Sequence, residues 1–180
     1  MFDTFFGLPL HPLVVHATEV VVPLAAILVI LTAAWPRFRR WSGYLTLTVT
    51  LVALALVPIT TQSGEKLESR VGENDLIETH SELADGLLPW VAGLVIVAAA
   101  LLWWNIRERR TARASTAESD RAPGTEPAKK KLRWVPVSLL VLALLVSTGT
   151  TVQAVLVGHS GATAVWTEDM GTSTPSGDSE

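Results

Sequence analysis

Residues 13–35, LVVHATEVVVPLAAILVILTAAW, decide the fold. They contain one carboxylate, Glu19, and no lysine or arginine. About 20 apolar residues span the hydrocarbon of a bilayer, whereas a helix of a soluble protein normally keeps a polar face. The stretch is too long for a secretory signal peptide, and no basic residue precedes it. We therefore predict a retained transmembrane helix that starts just after Pro12.

Three further apolar stretches follow, at residues 42–62, 83–104 and 135–157. With the first, they predict an all-α fold, an integral membrane four-helix bundle that forms a single domain over residues 1–169. The 180-residue chain has no cysteine. This excludes disulfides, iron–sulfur ligation and covalent c-type haem attachment.

The basic residues predict how the bundle is oriented. Three arginines lie between the first two spans, and nine basic residues lie in residues 107–133, so these two segments hold twelve of the fourteen. The positive-inside rule places both segments in the cytoplasm and both termini outside the cytoplasm. We expect the protein in the cell (inner) membrane. Topology therefore explains the basic residues, and we expect a lipid bilayer and no nucleic acid as partner.

The polar segments are predicted to differ in order. The cytoplasmic linker, about residues 107–133, is rich in Ala, Ser, Thr, Glu and Pro, and the tail at residues 170–180 is similar, so we expect both to be flexible or disordered. Apolar residues punctuate the charges in the outer loop from Ser63 to Thr79. We expect a short amphipathic helix on the outer surface there.

All four histidines are expected in one layer at the outer membrane face. Counting 1.5 Å per helical residue places His16 at the outer boundary and His80 and His159 about one turn beyond it. His11 lies just before the first helix. Imidazole is a common neutral ligand of haem iron, zinc and copper, so the layer is a candidate cofactor or metal site. Alternatively, these are interfacial histidines that hydrogen-bond to loops or face solvent.

Glu19 is the second unusual residue, because a carboxylate inside a span is costly and a candidate for function. It shares a helix face with His16. Glu19 could orient an imidazole, ligate a metal or relay protons. The alternative is a protonated carboxyl group that hydrogen-bonds to a polar side chain at the outer end of span two, namely Thr60, Thr61 or Gln62.

Two further segments surround the remaining histidines. Glu78, Glu82 and Asp85 form one acidic stripe at the start of span three, and His80 points away from it on a regular helix. Gly158 and Gly161 flank His159 and Ser160, which predicts a tight turn that ends span four, with residues 165–166 folding back. The sequence contains no hydrolytic constellation, phosphate-binding glycine loop or HExxH motif.

Three segments resemble the bacterial membrane family known as domain of unknown function 2231. They are GLPLHPLVVH at residues 7–16, ETHSELAD at residues 78–85 and VGHSGATAVW at residues 157–166. The resemblance covers nearly the whole chain apart from the linker and tail. It implies a four-helix membrane protein whose histidines are candidates for haem or metal binding, and it carries over to His11, His16, His80 and His159.

The leading functional hypothesis is a small cytochrome-like protein with one b-type haem (haem b) in the outer half of the bundle. His16 would be one axial ligand and His80 or His159 the other, with His11 and Glu19 beside them or at the propionates. A quinone or outer-side electron carrier would be the redox partner. A second hypothesis is a zinc, copper or iron site for binding or transport, with ligands from His11, His16, Glu19, His80 and His159. A third is a non-catalytic interaction protein.

Overall fold

A computed structural model of the chain describes residues 4–5, 8–71, 75–119 and 134–171. Within these ranges, four helices are long and apolar enough to cross a membrane. The predicted all-α, four-helix membrane fold is thereby confirmed. The elements are β1 (Thr4–Phe5), β2 (Leu8–Pro9), α1 (Leu10–Ala34), α2 (Pro36–Val71), α3 (Asp75–Asp85), α4 (Leu87–Ser119) and α5 (Trp134–Gly171).

The four long helices form a ring in which neighbours run antiparallel. α1 packs against α2 and α5, and α4 packs against the same two helices. The short helix α3 lies over one end of the ring, where it packs mainly on α5. We call this end, which carries His16, His80 and His159, the histidine end. The opposite end, the arginine end, carries Arg39, Arg40 and Arg109.

The connection between α1 and α2 is very short. Trp35 is the one residue between the two helices, and its N–H still donates to Leu31 O at 2.9 Å. Proline disfavours a helical conformation at the residue before it, yet is well tolerated at a first helical position, where its missing N–H costs nothing. Pro36 therefore ends α1 and starts α2.

Small apolar side chains fill the centre of the ring. Because alanine and valine dominate, the helix backbones can approach closely, as is common between transmembrane helices. Large apolar side chains such as Val20, Ile96 and Leu145 point outward and are more than 60% exposed. This pattern suits a protein whose outside is solvated by lipid. The buried residues include Val22, Ala25, Ala26, Val29, Ala53, Val57, Val91, Leu94, Val97, Ala98, Leu101 and Ala143.

Hydroxyl groups join α1 to α2 near both ends of the bundle. Thr18 and Thr60 are hydrogen-bonded at 2.8 Å. Thr32 and Thr46 are hydrogen-bonded at 2.7 Å, and both are buried. Buried hydroxyls need partners where no water is available, so these two contacts fix how α1 and α2 pair along their length.

Several helices are longer than the predicted spans. α1 already begins at Leu10, so His11 lies in its first turn and not before it. α4 continues to Ser119, so residues 107–119, which were expected in a flexible linker, are helical. Residues 120–133 of that linker and residues 172–180 of the tail lie outside the described ranges.

The expected tight turn at Gly158–Gly161 is wrong, because α5 runs through it to Gly171. A helix satisfies its own backbone hydrogen bonds, which a turn near the bilayer would have to do in other ways. The amphipathic helix expected at residues 63–79 is displaced. α2 extends to Val71, and the short surface helix is α3, at Asp75–Asp85.

Candidate functional site

The histidine end brings α1, α3 and α5 together around two glycines of α5. Gly161 has no side chain, so His80 of α3 can lie directly on the α5 backbone, while Glu19 of α1 lies near Gly158. His80 reaches α5 from α3, and Glu19 approaches it from α1. The candidate site is therefore organised by α5, although two of its polar side chains come from other helices.

His80 is held by a hydrogen bond to a serine on α5. Its Nδ1 lies 2.9 Å from Ser160 Oγ. The same hydroxyl donates its hydrogen to Val157 O at 2.9 Å. A hydroxyl has one hydrogen, so toward His80 it acts as the acceptor. With the hydroxyl donating to Val157 O, His80 donates from Nδ1.

In this arrangement the neutral His80 ring carries its hydrogen on Nδ1. With the hydrogen on Nδ1, the lone pair lies on Nε2. Histidine ligands commonly donate one ring N–H to a protein acceptor and bind iron or another metal through the other nitrogen. The pair His80–Ser160 thus has the arrangement of an oriented imidazole ligand.

Gly161 gives the His80 ring its position against α5. A Cβ atom built on Gly161 would lie 3.0 Å from His80 Cε1 and 3.3 Å from Nδ1. Any side chain at this position would push the ring away from Ser160. Glycine here serves close approach and not backbone flexibility, because the residue lies within a continuous helix.

Glu19 lies toward α5 and not toward α2. A Cβ atom built on Gly158 would lie 3.9 Å from Glu19 Oε1. The hydroxyls that were expected as alternative partners are engaged elsewhere, since Thr60 bonds to Thr18 and Thr61 donates to Pro58 O. Among the described residues no hydrogen bond joins Glu19 to Thr60, Thr61 or Gln62, so the structure gives that alternative no support.

His159 lies on a different side of α5 from Ser160. Gly158 faces α1, whereas Ser160 and Gly161 face α3. At about 100° per residue, His159 projects away from α3. It is exposed, as is His16 on α1. The backbone of His11 starts α1, and its side chain lies outside the described part of the structure.

Within the described part of the chain, the predicted site residues are not gathered into a multidentate metal site. Among the described residues, no group of three His, Cys, Asp or Glu side chains could hold a metal ion. The acidic stripe of α3 is directed outward, because Glu78, Glu82 and Asp85 are all exposed while His80 is partly buried. This agrees with the prediction that His80 points away from the stripe.

Ser160 is the side chain of the candidate site that sequence reasoning missed. The sequence places it beside His159, but the helical geometry of α5 turns it toward His80, which is 80 positions away. The signal in the sequence was Gly161 beside it, because a glycine within an apolar helix permits close approach of a neighbouring helix.

The comparisons with known proteins identify a family. A family model described as "Predicted membrane protein (DUF2231)" matches residues 7–174. This range includes all five helices and all the candidate residues at the histidine end. No curated protein and no solved structure matches the chain significantly.

Proposed function

The chain belongs to the DUF2231 family of predicted membrane proteins, and from that premise we propose that it binds one b-type haem at the histidine end and transfers electrons there. His80 and His16 are the proposed axial ligands. The observation that carries the proposal is the hydrogen bond from His80 Nδ1 to Ser160 Oγ, at 2.9 Å. It leaves the Nε2 lone pair of a neutral His80 for iron.

The number of ligands favours haem over a bare metal ion. A structural zinc site takes four protein ligands and a catalytic one takes three, whereas a b-type haem needs only two axial side chains. The described residues supply no three-membered group, and they supply one oriented imidazole on α3 and a second imidazole at the same end of α1. Two imidazoles on different helices match in number the two axial ligands of a b-type haem.

His16 is the better second ligand because of where the helices place the alternatives. His159 projects away from α3, whereas His16 lies one turn from Glu19, on the helix that meets α5 at Gly158. Axial ligands bind opposite faces of a porphyrin and come from different helices, as α1 and α3 would provide. Glu19 and His11 are proposed to orient these imidazoles or to lie at the propionates.

A bound haem would supply reversible one-electron exchange. The chain itself would hold the two imidazoles on separate helices and direct the Nδ1 hydrogen of His80 toward Ser160. The four histidines of the chain are His11, His16, His80 and His159, and none of them belongs to the segments of the arginine end. That end therefore has no histidine pair for a second haem. The electron partner is then a quinone within the bilayer or a carrier on the same face.

We propose the inner membrane as the location, with the arginine end in the cytoplasm, because basic connections remain on that side. The chain has no cysteine. Single cysteines at Glu65, near the histidine end, and at Arg110, beyond the arginine end, therefore report the orientation. In intact cells, a membrane-impermeant maleimide should label Glu65→Cys and spare Arg110→Cys. The reverse labelling pattern would show that the arginine end faces outward.

The haem proposal is tested with oxidised and dithionite-reduced absorption spectra of protein purified in mild detergent from haem-replete cells. We expect a Soret band, sharp reduced alpha and beta bands, and about one haem per chain. His80→Ala and His16→Ala should each abolish the low-spin spectrum. His159→Ala is the matched control and should retain it, since its side chain faces away from α3.

Other outcomes redirect the assignment. Stoichiometric zinc, copper or iron without a Soret band would support the metal site instead. Neither haem nor metal in protein prepared without chelators would refute a cofactor at the histidine end and favour the interaction-protein hypothesis. A spectrum that survives both His16→Ala and His80→Ala would refute the assigned ligand pair.

A further inference from the structure

The arginine end concentrates positive charge with little acid to balance it. The first turns of α2 and the exit of α4 carry seven arginines, and the described residues 36–41 and 105–116 contain one acid, Glu108. Arg39 engages Glu108 at 2.9 Å. Six exposed arginines remain: Arg37, Arg40, Arg107, Arg109, Arg110 and Arg113.

Two of these arginines are brought together by a network between α2 and α4. Arg109 Nη2 donates to the carbonyl oxygen of Arg40, and Arg109 Nε donates to Asn105 Oδ1 at 3.4 Å. Asn105 is buried, and its Nδ2 donates to Arg39 O at 2.9 Å. The exposed guanidinium of Arg109 is therefore held against the backbone of Arg40.

This arrangement leaves hydrogen-bond donors of Arg109 available. A guanidinium has five N–H donors, and the described contacts of Arg109 use two of them. The exposed Arg40 side chain starts from the residue whose carbonyl Arg109 contacts, and an anion that reaches both cations would offset their mutual repulsion. The start of α2 adds to this field, because the N-terminus of a helix carries partial positive charge.

A buried donor gives independent evidence for a missing acceptor. The side chain of Arg39 is only 6% exposed, yet its Nε has no hydrogen-bond partner among the described residues. Buried polar atoms are nearly always paired, and an unpaired one calls for a ligand or an ion nearby. Arg39 adjoins Arg40 in sequence and shares the Asn105 network.

The depth of these arginines in the bilayer indicates where an anion would come from. Trp35, Trp41, Trp103 and Trp134 lie at this end, and each is more than half exposed. Such a belt marks the headgroup level of a bilayer. The Arg107 guanidinium stacks over the Trp103 ring at 5.5 Å, so arginines and belt share one depth.

We propose that the arginine end binds the phosphate of an anionic phospholipid between α2 and α4, with Arg40 and Arg109 as its direct contacts and Arg39 behind them. Acyl chains would lie along the exposed apolar side of α2, beside Tyr44 and Leu45. Guanidinium groups suit this ligand, because they bind phosphate with two parallel hydrogen bonds. The inference is independent of the proposed haem.

The experiment uses the full chain in a neutral detergent. Phosphatidylglycerol, phosphatidylcholine or inorganic phosphate is titrated, and the unfolding temperature and the lipid retained in native mass spectrometry are measured. We expect saturable stabilisation by phosphatidylglycerol alone. Arg40→Gln should weaken its binding by about fivefold, which corresponds to about one arginine at a membrane surface.

Arg113→Gln is the matched control. It removes the same charge from α4 about one turn beyond Arg109, and we expect it to leave phosphatidylglycerol binding within about twofold of wild type. Arg40→Gln keeps the backbone carbonyl that accepts from Arg109, so it tests binding even if Arg109→Gln does not fold. Equal binding of phosphatidylcholine, stabilisation by inorganic phosphate alone, or equal losses in Arg40→Gln and Arg113→Gln would each overturn the proposal.

Discussion

Arg39 of α2 and Glu108 of α4 form an ion pair of 2.9 Å between two helices that are separated by nearly 70 positions in sequence. The two partners differ in environment, since the Arg39 side chain is 6% exposed and that of Glu108 is 47% exposed. Loss of its partner would therefore cost more free energy for the buried guanidinium than for the exposed carboxylate. This contact joins the first turn of α2 to the C-terminal part of α4.

Glu108→Gln should destabilise the bundle, because it leaves the buried Arg39 charge without its counterion. We expect a loss of about 1–3 kcal/mol in the free energy of unfolding, less than for a fully buried pair since Glu108 is half in solvent. Unfolding by SDS titration in mixed micelles measures it. Glu65→Gln, an exposed acid at the histidine end, should change stability by less than about 0.5 kcal/mol. Equal effects would contradict the role of the pair.

Gly149→Ala should disturb the contact between α4 and α5. A Cβ atom at this position would overlap the Trp90 ring, so the indole must move. Overpacking of this kind costs about 1–3 kcal/mol, which exceeds the gain in helix propensity of about 1 kcal/mol. The unfolding temperature in detergent and the fluorescence of Trp90 would both change.

Gly158→Ala is the control for that substitution in the same helix. Its Cβ atom would meet only the Glu19 carboxylate, at 3.9 Å, which is ordinary contact with a flexible side chain. Stability should be unchanged or slightly higher. If Gly158→Ala were as damaging as Gly149→Ala, loss of glycine itself, and not the Trp90 contact, would be the cause.

Thr32→Val should cost about 1 kcal/mol, because it removes the partner of the buried Thr46 hydroxyl, 2.7 Å away. The double variant with Thr46→Val should cost less than the sum of the single changes, since neither hydroxyl is then left unpaired. A double-mutant cycle on the unfolding free energy measures the coupling. Strict additivity would show that the hydrogen bond makes no net contribution.

Ser160→Ala should weaken haem retention by about 10- to 100-fold while leaving both proposed ligands in place, because the Nδ1 hydrogen of His80 loses its acceptor. Haem titration into apoprotein, followed at the Soret band, measures the affinity. Ser138→Ala removes another hydroxyl of α5, one that donates to Trp134 O near the arginine end. It should bind haem as wild type does. Unchanged affinity in Ser160→Ala would refute the orienting role of the serine.

The architecture could be predicted from sequence because bilayer thickness leaves few options. Each apolar stretch is long enough to cross, and the basic residues divide the connections into two groups, so four spans with all histidines at one end followed directly. Helix ends were less predictable. Nothing local distinguishes residues 107–119 as helix or linker, since alanine and arginine favour helices while their polarity suggests exposure.

The sequence by itself determined that four helices are long and apolar enough to cross a membrane and that His16, His80 and His159 lie toward one end, because hydropathy and charge act locally along the chain. Only the tertiary structure decided which side chains meet. It turned Ser160 toward His80 and Glu19 toward Gly158, and it carried α5 straight through both glycines. The reason is physical. A glycine costs a helix about 1 kcal/mol in isolation, and close packing of a neighbouring helix against its bare backbone offsets that cost.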